Sequence, residues 1–415
     1  MRIAILGSGG REHAIAWKLA QDIDTSDIYS IPGNGGTPNN VNINISDFQA
    51  IKVFCEENRI QLIIVGPEAP LVAGIVDYFA DSRIMVFGPG RGASRLEGSK
   101  IQAKEFMAKY DVQTADYTVF DGTNDPTETI NLLEGNLVIK YDGLAAGKGV
   151  FVCSNINEAH YNIDLLKKNY GTSVRYLIEE KLYGQEISVI GFTDGESIKI
   201  LLPSQDHKPI YDGDKGPNTG GMGAFCPVPF CGSSLLKKIE HAIIEPTLTG
   251  IQSEKLDYTG IIYFGLMIAD DEPYLLEYNV RLGDPETEVI LPALESSLID
   301  LILSCYEHSL NSLTLKFKPA YFVDVVMASG GYPDTYEKGY KITGLGSISR
   351  DCLVFHAGTR VNGNDIVTAG GRVLNIVATS NDLQSAIHKA YENVEKINFT
   401  NCYYRKDIGF KGLKP

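Results

Sequence analysis

Four short apolar runs near the N-terminus, at residues 3–6, 28–31, 62–65 and 85–87, each end in glycine or proline. No other feature of the chain constrains its fold as strongly. The punctuation is GSGG from Gly7, PGNGG from Pro32, GPE from Gly66 and GPG from Gly88. Helical patterns at 12–20 and 48–58 fall between some of the runs. Strands alternating with helices predict a doubly wound α/β domain with a parallel sheet. Ligands bind such sheets at the carboxyl ends of the strands, so the four turns are expected along one edge.

The 415-residue length leaves room for roughly two to four domains. Hydrophobic residues make up 44% and charged residues 21%, the proportions of a soluble globular protein. A formal net charge of −15 argues against general binding to nucleic acid or anionic membranes. An anionic small substrate would need local cations of its own. Nothing reads as a signal peptide or a membrane span, and a cytoplasmic location is expected. Cys55, Cys153, Cys226, Cys231, Cys305, Cys352 and Cys402 are scattered without C-x-x-C spacing, as reduced thiols would be. The histidines show no zinc spacing.

Further along, a helix is expected at 99–110. The texture then becomes α+β, with short strands at 137–140, 150–153, 176–179, 186–192 and 198–203. Residues 204–224 read as a long polar loop, rich in glycine, of the kind that closes on a substrate. One helix is expected over 286–309. The tail, 317–415, reads as a separate small α+β unit with a helix near 380–393.

The chemistry concentrates in YLLEYNVRLGDPETE, from Tyr274 to Glu288. Alternation over 274–280 puts Leu275, Glu277 and Asn279 on one strand face. A carboxylate beside a carboxamide offers two hard oxygen donors, suited to Mg²⁺ completed by phosphates and water. Arg281 adds a permanent cation, and Asp284 and Glu286 follow in an acidic turn. A second segment, VIKYDGLAAGKGVFV from Val138, resembles a Walker A loop but fails its spacing. It reads as a glycine hairpin over phosphates, with Lys140 and Lys148 as charges. In LIEEKLYGQEIS the backbone around Glu180, Lys181 and Leu182 suits an adenine edge, and Glu186 suits ribose hydroxyls. GSGGREH places Arg11 at a helix start that suits phosphate. It fails the dinucleotide fingerprint because Glu12 holds the third glycine position. His207 is a lone histidine, more often a hydrogen-bonding loop residue than a catalyst.

The motifs GGREHA, GPEAPL, LEGSK, DGLAAGKGV, SQDHK, GPNTGGMGA, RLGDPET, FHAGT, GGRVL and RKDIG occur in this order over nearly the whole chain. In this the sequence resembles the glycinamide ribonucleotide synthetase family, also called phosphoribosylamine–glycine ligases, of the ATP-grasp superfamily. The resemblance implies a first substrate domain (1–98), an ATP-grasp domain (99–316, lid about 115–187) and a C-terminal domain (317–415). It implies that ATP phosphorylates glycine and that 5-phosphoribosylamine attacks the acyl phosphate, with Mg²⁺ or Mn²⁺ on Glu277 and Asn279. ATP would meet Lys100, Lys140, Lys148, Glu179, Glu180, Lys181, Leu182 and Glu186, with Arg281, Asp206 and Lys148 in catalysis. The other substrates would meet Gly9, Gly10, Arg11, Glu12, Asn34 and Glu68, together with Asp206, Thr219, Gly220, Gly221, Met222, Gly223, Arg281, Asp284 and Arg372. A monomer is expected, with small-molecule partners only. Tyr141, Gln185, Val280 and Leu282 depart from the usual family residues, and 265–268 offers no second metal carboxylate. The alternatives are another ATP-grasp carboxylate–amine ligase, a silent nucleotide-binding protein, or a nicotinamide oxidoreductase. The last would explain the first domain alone.

Overall fold

The computed structural model describes residues 1–145 and 149–413. The four N-terminal runs form strands Ile3–Gly7, Ile28–Pro32, Leu62–Val65 and Met85–Pro89. They pair in parallel, with Ile3–Gly7 between Ile28–Pro32 and Leu62–Val65, and Met85–Pro89 beside the latter. Ile3, Ile5, Leu62 and Ile63 have no exposed surface; burying a side chain of this size stabilises the fold by about 1.5–3 kcal/mol. The expected helices appear as Gly10–Leu19 and Phe48–Glu57.

The sheet does not end with the first segment. Strand Tyr258–Ala269 pairs antiparallel with Met85–Pro89, then with Gln185–Thr193 and Glu272–Asn279, so that one eight-stranded sheet runs through both segments. At the junction, a side chain on Gly260 would meet the backbone of Gly88, so these two strands meet through glycine. Helix Lys100–Lys109 forms as expected, and the Ser99 hydroxyl caps it by accepting from Gln102 N at 3.2 Å. A separate four-stranded antiparallel sheet, ordered Tyr117–Phe120, Tyr176–Glu180, Leu137–Tyr141 and Val150–Val152, stands over the first. Helix Ile156–Tyr170 covers it with Ala159, Ile163 and Leu166.

The tail forms the expected small α+β unit, but its sheet also takes strands Gln205–Asp206 and Gly223–Cys226 from the central segment. These pair with each other, and Gly223–Cys226 pairs with Tyr321–Ser329. Residues 204–224 are not a loop: Pro209–Tyr211 and Lys215–Asn218 form a hairpin between those two strands. The single helix over 286–309 is two, Thr287–Ala293 and Leu298–Tyr306. Pro292 removes a helical donor, and Ser297 starts the second helix by accepting from Asp300 N at 3.2 Å.

One further difference lies in the site strand itself. Gly265 pairs with Glu277 and Leu266 with Leu275, which leaves Leu276 as the extra residue of a bulge. The bulge reverses the alternation, so Leu275 joins the core with Tyr278 while Leu276, Glu277 and Asn279 face a cavity.

Candidate active site

A cavity of about 830 Å³ lies between the first sheet, the four-stranded sheet above it and the C-terminal sheet. Strand Glu272–Asn279 forms one wall, and the bulge turns both proposed metal donors inward. Glu277 forms no ion pair within 4.0 Å among the described residues, although cations surround it. Burial opposes its ionisation, but Lys208, Lys140, Lys100 and Arg281 outweigh this and hold its carboxyl below the ordinary range. Asn279 Oδ1 accepts from Arg281 Nη2 at 3.3 Å. An ionised carboxylate beside an amide oxygen fits a hard divalent cation. No cluster of three or more His, Cys, Asp or Glu side chains able to hold a metal occurs among the described residues. Phosphate oxygens and water would have to complete the shell.

The opposite wall supplies lysines. Lys140 Nζ lies 2.7 Å from Glu179 Oε2 and donates to Leu276 O at 2.9 Å. Lys104, which no local pattern marked, lies 3.1 Å from the other oxygen of Glu179 and donates to Thr114 Oγ1 at 2.6 Å. Glu179 thus bridges two ammonium groups, and its side chain is a support more than a ligand. Burial pulls Lys104 down to about 8 against the attraction of Glu179. Lys100 Nζ donates to Gly143 O at 3.1 Å, which ties the first helix of this segment to the glycine turn. Glu180, Lys181 and Leu182 line the cavity. Lys148 lies outside the described residues.

Arg281 enters the cavity between two glutamates. Its Nη2 lies 3.1 Å from Glu97 Oε1, and its Nε lies 3.4 Å from Glu68 Oε2. Glu97 also accepts from Val280 N at 2.7 Å. Glu68, expected against the substrate, lines the cavity; Glu97 carries no sequence signal, because nothing near it points to a partner so far along the chain.

Around Asp206 the acids and bases crowd together. Lys208 lies 2.8 Å from Glu186 Oε2, so Glu186 is engaged by a lysine and does not stand free for ribose. Burial pushes the Asp206 carboxyl up to about 7, against the pull of Lys208 and with repulsion from Glu286 and Glu186. Glu286 accepts from Ser188 Oγ and Tyr263 OH, each at 2.9 Å. Lys208 was passed over as one charge among several in a supposed loop. His207 has no exposed surface and packs on Phe225, away from the cavity, and burial drives its pKa down to about 3.

The first-domain turn is reached only in part. Arg11 lines the cavity and donates to Leu282 O at 3.1 Å. Glu12 is corrected from ligand to support: Oε2 accepts from Gly9 N at 2.5 Å and Oε1 from Arg11 Nε at 2.6 Å, so its carboxylate closes the helix start. Side chains on Gly7 or Gly66 would collide with this carboxylate, which explains two of the glycine turns. Gly9 and Gly10 lie outside the cavity wall, Gly10 against Asn375 and Glu288. Asn34 ties Ser8 O at 3.0 Å to His356 O at 2.7 Å. Thr219 and Gly220 line the cavity, whereas Gly221 packs on Pro285 and Met222 and Gly223 are core. Arg372 reaches in from the C-terminal sheet, with Nη1 3.1 Å from Asp284 Oδ1.

Lys140 of the upper sheet and Lys100 of the helix Lys100–Lys109, set against a carboxylate strand below, fit the site of an ATP-grasp enzyme. The fold recurs in the biotin carboxylase–β,γ-ATP complex from Campylobacter jejuni, with a TM-score of 0.73 at 14% identity over 100% of this chain and 95% of that one. The chain belongs to the phosphoribosylglycinamide synthetase family, matching its N domain over residues 1–97, its ATP-grasp (A) domain over 98–287 and its C domain over 322–411. It is 46% identical over 418 residues to the phosphoribosylamine–glycine ligase of Clostridium acetobutylicum, covering 99% of each chain. The crystal structure of the Thermotoga maritima phosphoribosylamine–glycine ligase superposes with a TM-score of 0.85 at 37% identity, covering 98% of this chain and all of that one.

Proposed function

We propose that this chain joins glycine to 5-phosphoribosylamine with ATP, giving glycinamide ribonucleotide, ADP and phosphate. The observation that carries the reading is the Glu277 carboxylate, ionised in a ring of cations and unpaired among the described residues. Glu277 and Asn279 would hold Mg²⁺ or Mn²⁺, which neutralises phosphate charge when bound. Lys100 and Lys140 would steady the nucleotide phosphates from the opposite wall.

The glycine carboxylate oxygen attacks the γ-phosphorus, and the bond from that phosphorus to the ADP oxygen breaks. Arg281 faces the charge that develops on the transferring group. The amine nitrogen of phosphoribosylamine then forms the amide bond as phosphate leaves the acyl carbon. One amine proton must go, and a carboxyl held near neutrality at Asp206 suits its acceptance. Arg11, Glu68, Asp284 and Arg372 line the side on which phosphoribosylamine would sit.

The same reading divides the chain at 1–98, 99–316 and 317–415 and takes it to act as a cytoplasmic monomer. No described helix is long and apolar enough to cross a membrane. The test is phosphate release with ATP, Mg²⁺, glycine and freshly formed phosphoribosylamine, omitting each in turn. Release that persists unchanged without glycine would sink the assignment.

A further inference from the structure

The RKDIG segment near the C-terminus has no part in the chemistry above, yet Arg405 heads the largest fully buried side chains of the protein. Its guanidinium forks onto Asp407, with Nε to Oδ1 and Nη2 to Oδ2 both at 2.7 Å. The remaining nitrogen, Nη1, donates to Asp214 Oδ1 and to Pro209 O, each at 3.0 Å. Pro209 is the residue after Lys208. Neighbouring bonds run the same way: Lys406 N donates to Asp212 Oδ1 and Gly213 N to Asp407 Oδ2, both at 2.8 Å, and Tyr403 OH donates to Ile210 O at 2.9 Å.

Apart from the Arg405–Asp407 fork, these contacts grip the hairpin formed by Pro209–Tyr211 and Lys215–Asn218, whose two ends enter the cavity as Lys208 and Thr219. There Thr219 closes on Lys208, donating to its carbonyl from both N and Oγ1 at 2.8 Å. The Lys208 backbone is therefore fixed on one side by Thr219 and on the other by the carbonyl that Arg405 holds. Its ammonium stands between Glu186, at 2.8 Å, and the field of Asp206 and Glu277. A small shift of this backbone would move the cation relative to Glu277.

We propose that Arg405, outside the cavity wall, is a positioning residue for the ligase reaction, acting through the Pro209 carbonyl to set the place of Lys208. The inference rests on the cavity being the site of phosphoryl transfer. The planar guanidinium makes four bonds here, forking onto Asp407 while Nη1 reaches Asp214 and Pro209 O, and an ammonium has three donors and no rigid fork.

The test is a cycle of Arg405→Lys, Lys208→Gln and the double variant in the full chain, with Asp214→Asn in place of the first if it does not fold. Arg405→Lys should lower kcat about tenfold with KM for ATP changed less than about twofold. In the Lys208→Gln background the same change should cost less than about twofold, because its effect passes through the missing lysine. Hydrogen exchange at the Thr219 amide, which donates to Lys208 O, should quicken in Arg405→Lys. An equal loss of kcat in both backgrounds, or Thr219 exchange at the parent rate, would overturn the proposal. The exchange measurement needs no turnover, so a parent protein without glycine-dependent phosphate release would count against the ligase reading and leave this outcome readable.

Discussion

Arg281 Nη2 lies 3.1 Å from Glu97 Oε1 inside the cavity wall. The carboxylate also receives Val280 N at 2.7 Å, so one buried group orients both the backbone and the side chain of the strand end. Burial pushes the Glu97 carboxyl up while Arg281 pulls it down. Truncating one partner of such a pair leaves the other uncompensated, a loss of about 3–5 kcal/mol when no second partner exists. Here Glu68 remains. Glu97→Gln should therefore lose about 2–3 kcal/mol in urea unfolding and about 10- to 100-fold in kcat. Parent-like turnover would mean that Arg281 needs no help from Glu97.

Glu277→Gln keeps the shape of the side chain and removes its charge. Binding of Mn²⁺–ATP, followed by electron paramagnetic resonance, should weaken at least about tenfold, and turnover should fall about 100-fold or more. Unfolding free energy should change by less than about 2 kcal/mol, since the group forms no ion pair among the described residues. Unaltered Mn²⁺–ATP binding would show that the metal sits elsewhere.

These two residues also mark how far the sequence could be read. Glu277, Asn279 and Arg281 stood out locally, as charge on an otherwise apolar strand, and the cavity does collect them. Glu97, Lys104 and Lys208 did not, because each owes its place to partners on distant elements. The four parallel strands were legible because their period and punctuation are local. The bulge at Leu276 was not: alternation presumes a regular strand, and the extra residue is imposed by pairing with Gly265 and Leu266. The hairpin after Lys208 was hidden for a similar reason. Its glycines and charges read as a loop until Arg405 supplies the partner.

Arg372 joins the C-terminal sheet to the turn after Arg281. Its Nη1 donates to Gly220 O at 2.7 Å and to Asp284 O at 2.8 Å, and it lies 3.1 Å from Asp284 Oδ1. Arg372→Lys keeps the charge on a shorter side chain without the planar fork, which loses the reach and orientation that bring Nη1 to these oxygens. KM for phosphoribosylamine should rise about tenfold while KM for ATP stays within about twofold. Equal rises in both would place Arg372 in general support of the fold.

Glu288 and Asp324 lie buried behind this turn, near the Asn375 side chain that Gly10 abuts. Burial, and then the negative charge of Asp284, raises both carboxyls well above the ordinary range; Asp324 adds to the effect on Glu288. A carboxyl raised in the folded state gives stability that is complete below its unfolded pKa and is lost as pH rises toward the folded value. Each such proton contributes a slope of about 1.4 kcal/mol per pH unit. The parent should therefore lose stability between about pH 5 and neutrality from these two groups. Glu288→Gln mimics the protonated acid and removes one titration, so its stability should fall less steeply over the same window. Urea unfolding at about pH 5, 6, 7 and 8 measures both slopes. Parallel curves for parent and variant would show that Glu288 holds no proton in the folded protein.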